Sequence, residues 1–180
     1  MPVSTRIATP ADAALLNALA AATFGLACPP GTTAESVAEF VATHLSAEHF
    51  VGYLADPLRE LIVVERDATP AGYSMLVYSD STDPDVVQSL TARPSAELSK
   101  LYVLEGHHGA GVGAALMEAS VTAAEQRGFA GVWLGVNQLN ERANRFYERQ
   151  QFRIVGEKKF ALGDSLEEDW VRERIIRLTP

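Results

Sequence analysis

The chain has 180 residues, 47% hydrophobic and 21% charged, which is ordinary for a soluble globular protein forming a single domain over residues 1–180. The formal net charge of −8 argues against a nucleic-acid partner, because the phosphate backbone would be repelled. The single cysteine excludes an intrachain disulfide. Neither a signal-peptide pattern nor 18 consecutive apolar residues occur, so we expect a cytoplasmic protein without a membrane partner.

The first third of the chain is predicted to be helical after one short strand at 3–8. Thr9 and Pro10 suit the N-cap and first turn of a helix, which the alanine-rich run extends to about residue 24. Glycines and prolines at 25–31 then break it. Two further helices are predicted at 33–44 and from 46 to about 56.

Strand patterns follow. The apolar runs 60–66 and 71–79 flank a turn and predict a hairpin. The polar segment 79–94 is predicted to be a mobile connection, and 162–170 an acidic loop. The remaining strands are predicted at 96–104, 131–136, 152–161 and 170–178, with helices at 111–127 and 140–150. This order predicts an α/β (α+β) domain in which an antiparallel first half meets a β-α-β unit.

The stretch 101–117, LYVLEGHHGAGVGAALM, is the most informative part of the sequence. A strand leads through glycines at 106, 109, 111 and 113 directly into a helix. Glycine allows a close backbone approach, and the free N–H groups at a helix start attract anions. The stretch therefore predicts a phosphate or pyrophosphate site, or else only a tight strand-to-helix connection.

Other phosphate-binding motifs fit less well. No Gly-Lys-Ser/Thr triplet follows the glycines, which excludes a Walker loop. Gly109, Gly111 and Ala114 formally meet the dinucleotide fingerprint, but the next strand ends in Val136-Asn137 and not in an acidic residue. A dinucleotide-dependent oxidoreductase is kept as an unfavoured alternative.

Two separated motifs resemble those of the GNAT superfamily of N-acetyltransferases. Residues 108–113 resemble its Q/R-x-x-G-x-G/A signature, and residues 134–152 resemble its second motif, L-x-V-x-x-x-N-x-x-A-x-x-F-Y-E-x-x-G-F. His108, Glu105 and Gln151 depart from the usual Gln/Arg, Pro and Gly. The resemblance implies a central mixed, mostly antiparallel sheet of six to seven strands, flanked by helices and splayed at the cofactor site. It also implies acetyl-CoA as co-substrate.

The resemblance assigns the cofactor contacts. Main-chain groups of the fourth strand would bind the pantetheine arm, main-chain amides of the glycine loop would bind the pyrophosphate, and the start of the next helix would also contact the cofactor. These positions are Leu101, Tyr102 and Val103; His108, Gly109, Ala110, Gly111, Val112 and Gly113; and Asn140.

Tyr147 is the predicted general acid for the departing thiolate. It matches the Phe-Tyr dipeptide of the second motif and lies seven residues after Asn140, on the same helix face. The plainer alternative is a buried aromatic ring that packs beside Phe146.

Glu97 is the predicted general base. It lies on the cofactor-binding strand, eleven residues before His108, and matches the base position of several members of the family. Partial burial would raise its pKa toward the working range of a base. The alternative is a strand-edge carboxylate paired with Lys100 or Arg93.

The acceptor is expected between the segments 24–33 and 162–170. The second carries Asp164, Glu167, Glu168 and Asp169, which either attract a polycation or only solvate a hairpin tip. Similarity to the bacterial spermine/spermidine acetyltransferase branch implies a polyamine or other small amine. A peptide or protein amine is the alternative.

The remaining reactive residues predict no further chemistry. His107 and His108 have no third ligand at suitable spacing, so no metal is predicted, and Cys28 has no local base. A rival reading is a non-catalytic coenzyme A-binding module in which His108 and Gln151 mark lost activity. A homodimer is possible.

Overall fold

The computed structural model describes residues 1–176, except for the side chain of Leu162. The strands are β1 (Val3–Ile7), β2 (Arg59–Arg66), β3 (Thr69–Val77), β4 (Ser95–Val103), β5 (Gly131–Asn137), β6 (Arg153–Leu162) and β7 (Ser165–Ile175). A short 3-10 turn, Pro10–Asp12, precedes the first helix. The helices are α1 (Ala13–Ala27), α2 (Ala34–His44), α3 (Ala47–Ala55), α4 (Pro84–Ser89), α5 (Val112–Gln126) and α6 (Glu141–Arg149).

The seven strands form one sheet in the order β1-β2-β3-β4-β5-β7-β6. Every neighbouring pair is antiparallel except β4 and β5, which are parallel and joined through α5. The prediction of a mixed, mostly antiparallel sheet flanked by helices is therefore confirmed.

Helices cover both faces of the sheet, which explains the continuous apolar run of β2. Leu61 and Val63 belong to a core cluster with residues of α1 and α3, whereas Ile62 and Val64 belong to a cluster with residues of α5. We call these the α1 face and the α5 face. Because successive strand side chains alternate between faces, a strand that is buried on both sides needs apolar residues at consecutive positions.

Local capping sets where several helices begin. The Thr33 hydroxyl accepts a hydrogen bond from the Ser36 amide at 3.1 Å, and the Ser46 hydroxyl accepts one from the His49 amide at 3.3 Å. These bonds satisfy amides that have no partner within the helix. The predicted starts of α2 and α3 are thereby confirmed.

The segment Pro10–Ala27 is long and apolar enough to cross a membrane, with 18 residues and a mean hydropathy of 1.3. The core helix of a globular domain passes the same test, so length and composition are weak support for a span. In the fold, Leu16, Leu19, Ala20 and Phe24 are buried against β2 and β3. This packing explains the apolar side chains on the buried side of α1, while the buried share of the 18-residue window is 33%.

Three predicted boundaries are wrong. Helix α1 continues to Ala27, because Gly25 stays helical and lies against Val37 of α2. The segment 79–94 contains α4, which Asp83 caps and whose Val86 is fully buried beside Trp133. Most of the predicted acidic loop 162–170 is strand, since β7 begins at Ser165. Residues 177 and 178 of the predicted last strand lie outside the described residues.

Candidate active site

The site begins where the two parallel strands separate. Strands β4 and β5 pair only through Ser95, Ala96 and Glu97, opposite Gly131, Val132 and Trp133. Both strands continue beyond these pairs, β4 to Val103 and β5 to Asn137. A cavity of about 630 Å³ lies at this opening and reaches the start of α5. The predicted splay of the sheet is present.

The glycine loop forms one end of the cavity. Gly106, Gly109 and Gly111 have φ values of 84°, 81° and 79°, a region that side-chain-bearing residues rarely adopt. Gly111 is the N-cap of α5, and a Cβ at Gly109 or Gly111 would meet no atom within 4 Å. The loop therefore leaves open space in front of the free amides of a helix start, as an anion site requires.

Four of the six predicted loop residues line the cavity and two do not. His108, Gly109, Gly111 and Gly113 line it, whereas Ala110 is exposed and the Val112 side chain is fully buried in the core. Ala110 and Val112 can therefore contribute only main-chain groups. Partial desolvation and the nearby Arg142 lower the pKa of the His108 imidazole, which favours a neutral ring.

Gly113 lies where α5 meets α6 and the end of β4. A Cβ at this position would lie 3.4 Å from Phe146 Cε2 and 3.9 Å from Val103 Cγ2, which is ordinary van der Waals contact. The glycine loop is therefore close to the helix that carries Tyr147.

The predicted cofactor strand also lines the cavity through Leu101, Tyr102 and Val103. Leu101 packs toward the α5 face, whereas Tyr102 lies on the α1 face, with its ring centroid 5.8 Å from that of Tyr73 and 6.4 Å from that of Phe24. Because β5 has separated from β4 at this level, main-chain groups of β4 on that side are left for a ligand.

Tyr147 lines the cavity from α6. Its ring packs against Phe146 and Phe152, with centroid distances of 5.4 and 6.1 Å. Burial raises the pKa of the Tyr147 hydroxyl to about 12, so this group stays protonated at neutral pH. Tyr147 thus packs with its aromatic neighbours, as the plainer alternative states, and also lines the cavity, while its role as the general acid stays a prediction.

Glu97 lies on the α1 face just before a bulge in β4. Leu76 of β3 pairs with Leu98, and the residue before it in the chain, Met75, pairs with Lys100. Ser99 therefore has no partner on β3. The extra residue places Glu97 and Lys100 on the same face although they are three positions apart.

The charged groups near Glu97 act on its pKa in opposite directions. Burial raises the pKa of Glu97, while the neighbouring Lys158, Lys100 and Arg59 lower it less strongly. Burial also lowers the pKa of Lys100 to about 8. Among residues 1–176 no ion pair within 4.0 Å involves Glu97, so the alternative of a strand-edge salt bridge does not describe it.

Asn140 caps α6, at the predicted start of this helix. Its side-chain oxygen accepts a hydrogen bond from the Ala143 amide at 3.1 Å, and its Nδ2 donates to the Ala27 carbonyl at 3.5 Å. Asn140 lines the cavity and ties the start of α6 to the end of α1. A cofactor contact by Asn140 stays a prediction.

Sequence reasoning missed several residues of the cavity wall, among them two lysines and a glycine. Lys100 and Lys158 line it from β4 and β6, and Gly135 lines it from β5. The sequence predicts Asp169 only as part of an acidic loop, yet it is 7% exposed and also lines the cavity. No local motif marks these positions, because the register of strands far apart in sequence brings them together.

Comparison with known proteins identifies the family. The model of the acetyltransferase (GNAT) family matches residues 29–152. An uncharacterized N-acetyltransferase of Mycobacterium tuberculosis (strain ATCC 25618 / H37Rv) is 44% identical over 163 residues, covering 91% of this chain and 97% of the relative. An uncharacterized N-acetyltransferase of Lactobacillus delbrueckii subsp. lactis is 24% identical over 142 residues, or 79% of each chain.

Solved structures show the same fold. The PaiA N-acetyltransferase of Thermoplasma acidophilum, in complex with coenzyme A, superposes with a TM-score of 0.78 at 16% identity, covering 98% of this chain and 100% of that one. The ribosomal-protein-S18-alanine N-acetyltransferase of Escherichia coli gives 0.70 at 16% identity, with 99% and 97% covered. The chain belongs to the GNAT acetyltransferase family and is an acyl-CoA-dependent N-acetyltransferase.

Proposed function

We propose that the protein transfers the acetyl group of acetyl-CoA to a small primary amine by direct attack of the amine on the thioester. The observation that carries the proposal is the cavity between the splayed β4 and β5, which runs from the glycine loop at the start of α5 to Tyr147 and Glu97. One cavity thus joins an anion site to a proton donor and a proton acceptor.

The residues present fit acetyl-CoA. The main-chain amides at the start of α5, with Gly109 and Gly111 leaving space in front of them, suit its pyrophosphate. Main-chain groups of Leu101, Tyr102 and Val103 suit the amides of its pantetheine arm. Acetyl-CoA supplies an activated acetyl group whose thiolate must be protonated as it leaves.

Tyr147 would deliver that proton. When the amine nitrogen bonds to the acetyl carbon and the carbon–sulfur bond breaks, negative charge develops on the sulfur. A tyrosine hydroxyl with a pKa of about 12 is fully protonated before transfer and can donate to the thiolate. Its ring is held in place by Phe146 and Phe152, which preorganises the donor.

Glu97 would receive the proton that the amine loses, directly or through water. Its raised pKa makes it a stronger base than an exposed glutamate, while the positive charges of Lys158 and Lys100 favour its ionised form. Lys100, whose pKa burial lowers to about 8, lies on the same face of the sheet.

A small amine fits the charges around the cavity better than a long polycation. Glu168 is paired with Lys159 at 2.5 Å on the exposed surface, and Glu167 accepts hydrogen bonds from Ser165 and Asn137. Two lysines also line the wall. Of the four acidic residues predicted at this end of the fold, Glu167 and Asp169 line the cavity, so a polyamine is one amine among several to test.

The proposal is tested by following thiol release from acetyl-CoA with polyamines, amino acids, aminoglycosides and short peptides as acceptors. Amine-dependent release, lowered in Tyr147→Phe, is the expected result. Acetyl-CoA binding without turnover on any amine would favour the non-catalytic module. A protein that does not bind acetyl-CoA would contradict the assignment of the glycine loop.

A further inference from the structure

Asp169 is a buried carboxylate without a protein partner. It is 7% exposed and lines the cavity, yet among residues 1–176 it forms no side-chain hydrogen bond and no ion pair within 4.0 Å. The pKa of Asp169 is raised by burial, and Lys158 is the neighbour that opposes this shift. Buried charges are normally paired or hydrogen-bonded, so an unpaired one at a cavity wall indicates a missing cationic partner.

The position of Asp169 is set by β5 and β6. In the sheet register it pairs with Asn137 of β5 and Lys158 of β6, so all three side chains lie on the α1 face. A Cβ at Gly135 would lie 3.3 Å from both Asp169 Oδ2 and Lys158 Cδ. The carboxylate therefore lies over the bare backbone of Gly135, where β5 has already separated from β4.

Asp169 shares one site with the proposed reacting groups. Tyr147, Cys28 and Asp169 each add to the pKa increase that burial produces at Tyr102. Lys158 is also the charged neighbour that most lowers the pKa of both Glu97 and Asp169. The two carboxylates thus lie on one face of the sheet, and the charge of Lys158 acts on both.

We propose that Asp169 binds the acceptor's amine in its ammonium form over Gly135, as a specificity contact distinct from the proton acceptor Glu97. The inference rests on the proposed function and names the part of the wall that recognises the amine. An ammonium donates strong hydrogen bonds to a carboxylate, and a side chain at Gly135 would crowd Asp169 Oδ2. Lys158, which pairs with Asp169 in the sheet register, would repel a further ammonium group on the same acceptor.

The test compares Asp169→Asn with Glu168→Gln, the neighbouring glutamate that is exposed and paired with Lys159. The amine probes are spermidine, n-butylamine and the tripeptide Ala-Ala-Ala. Loss of one charge-assisted contact should raise the KM for the amine about ten- to hundredfold in Asp169→Asn. The KM for acetyl-CoA and the thermal unfolding midpoint should stay unchanged, and Glu168→Gln should match the wild type throughout.

Gly135→Ala tests the same contact by crowding it, and it serves as the test if Asp169→Asn does not fold. Its methyl group would crowd Asp169 Oδ2 and should also raise the KM for the amine. An unchanged amine KM in either folded variant overturns the inference, as does a wild type that acetylates none of the three probes. If the wild type does not bind acetyl-CoA, the proposed function itself fails.

Discussion

Gly111 and Gly128 provide a matched pair of substitutions that separates cofactor binding from folding. Gly111 precedes α5 with φ 79° and Gly128 follows it with φ 81°. At both positions a Cβ would meet no atom within 4 Å. Only Gly111 lines the cavity, because Gly128 lies at the opposite end of a 15-residue helix, about 20 Å or more away.

The two alanine variants should lose similar stability. An L-residue held in the left-handed region costs about 1–2 kcal/mol, because its Cβ crowds the backbone. For a chain of this length that corresponds to a decrease of about 2–8 °C in unfolding temperature. Neither methyl group adds a collision with the protein, so the backbone term should account for most of the change.

Their acetyl-CoA affinities should differ. A shift of the loop at Gly111 would weaken at least one charge-assisted bond from an amide to the pyrophosphate, which corresponds to an increase in Kd of about tenfold or more. Gly128→Ala should bind like the wild type. Calorimetric titration with acetyl-CoA gives the Kd of each protein, and urea unfolding without ligand gives the free energy of unfolding.

Equal loss of acetyl-CoA affinity in both variants would show that the effect is a general consequence of strain at the ends of α5. Unchanged affinity in a folded Gly111→Ala protein would refute the assignment of the pyrophosphate to this loop. In that case the glycines would serve only the tight connection between β4 and α5.

Three further predictions concern single side chains. Tyr147→Phe should lower kcat about hundredfold with an unchanged Kd for acetyl-CoA; full activity by thiol release would remove Tyr147 from the chemistry. Since burial raises the pKa of Glu97, wild-type kcat/KM for the amine should rise with pH through that pKa. Glu97→Gln should not show this rise in kcat/KM, and its activity should recover partly at high pH, where free amine is abundant. A pH dependence of kcat/KM identical to that of the wild type would argue against Glu97 as the base. Hydrogen bonds from Arg6 and Thr9 hold the pKa of Asp12 below its ordinary 3.8, so its contribution to stability is complete above about pH 4 and is lost as the pH falls toward the lowered value. Asp12→Asn should lose about 1–2 kcal/mol at pH 7 and show a flatter acid transition in urea unfolding; an unchanged free energy of unfolding would contradict this.

The sequence by itself determined the features that depend on neighbouring residues. The glycine loop between β4 and α5, the N-caps Thr33, Ser46 and Asn140, and the buried strand β2 all follow from local backbone preferences and side-chain periodicity. The two family motifs are also local patterns, so the fold and the general activity could be predicted before the structure was known.

Boundaries were less predictable, because packing between distant segments overrode local propensity. Gly25 remains helical since α1 is packed against α2 at Val37, and β7 extends back to Ser165 since it pairs with β6 across a short turn. The residues next to Gly25 and Ser165 in the sequence do not include the segments that these positions pack against or pair with. Local composition alone therefore favoured a loop in both places.

Only the tertiary structure decided which charged side chains share the cavity wall. The bulge at Ser99 turns Glu97 and Lys100 to the same face, and without it strand alternation would separate them. Asp169 and Lys158 reach that face through the register of β5, β7 and β6. Register and bulges depend on contacts between strands remote in sequence, which is why the proposed proton donor could be predicted from a motif while the proposed amine-binding carboxylate could not.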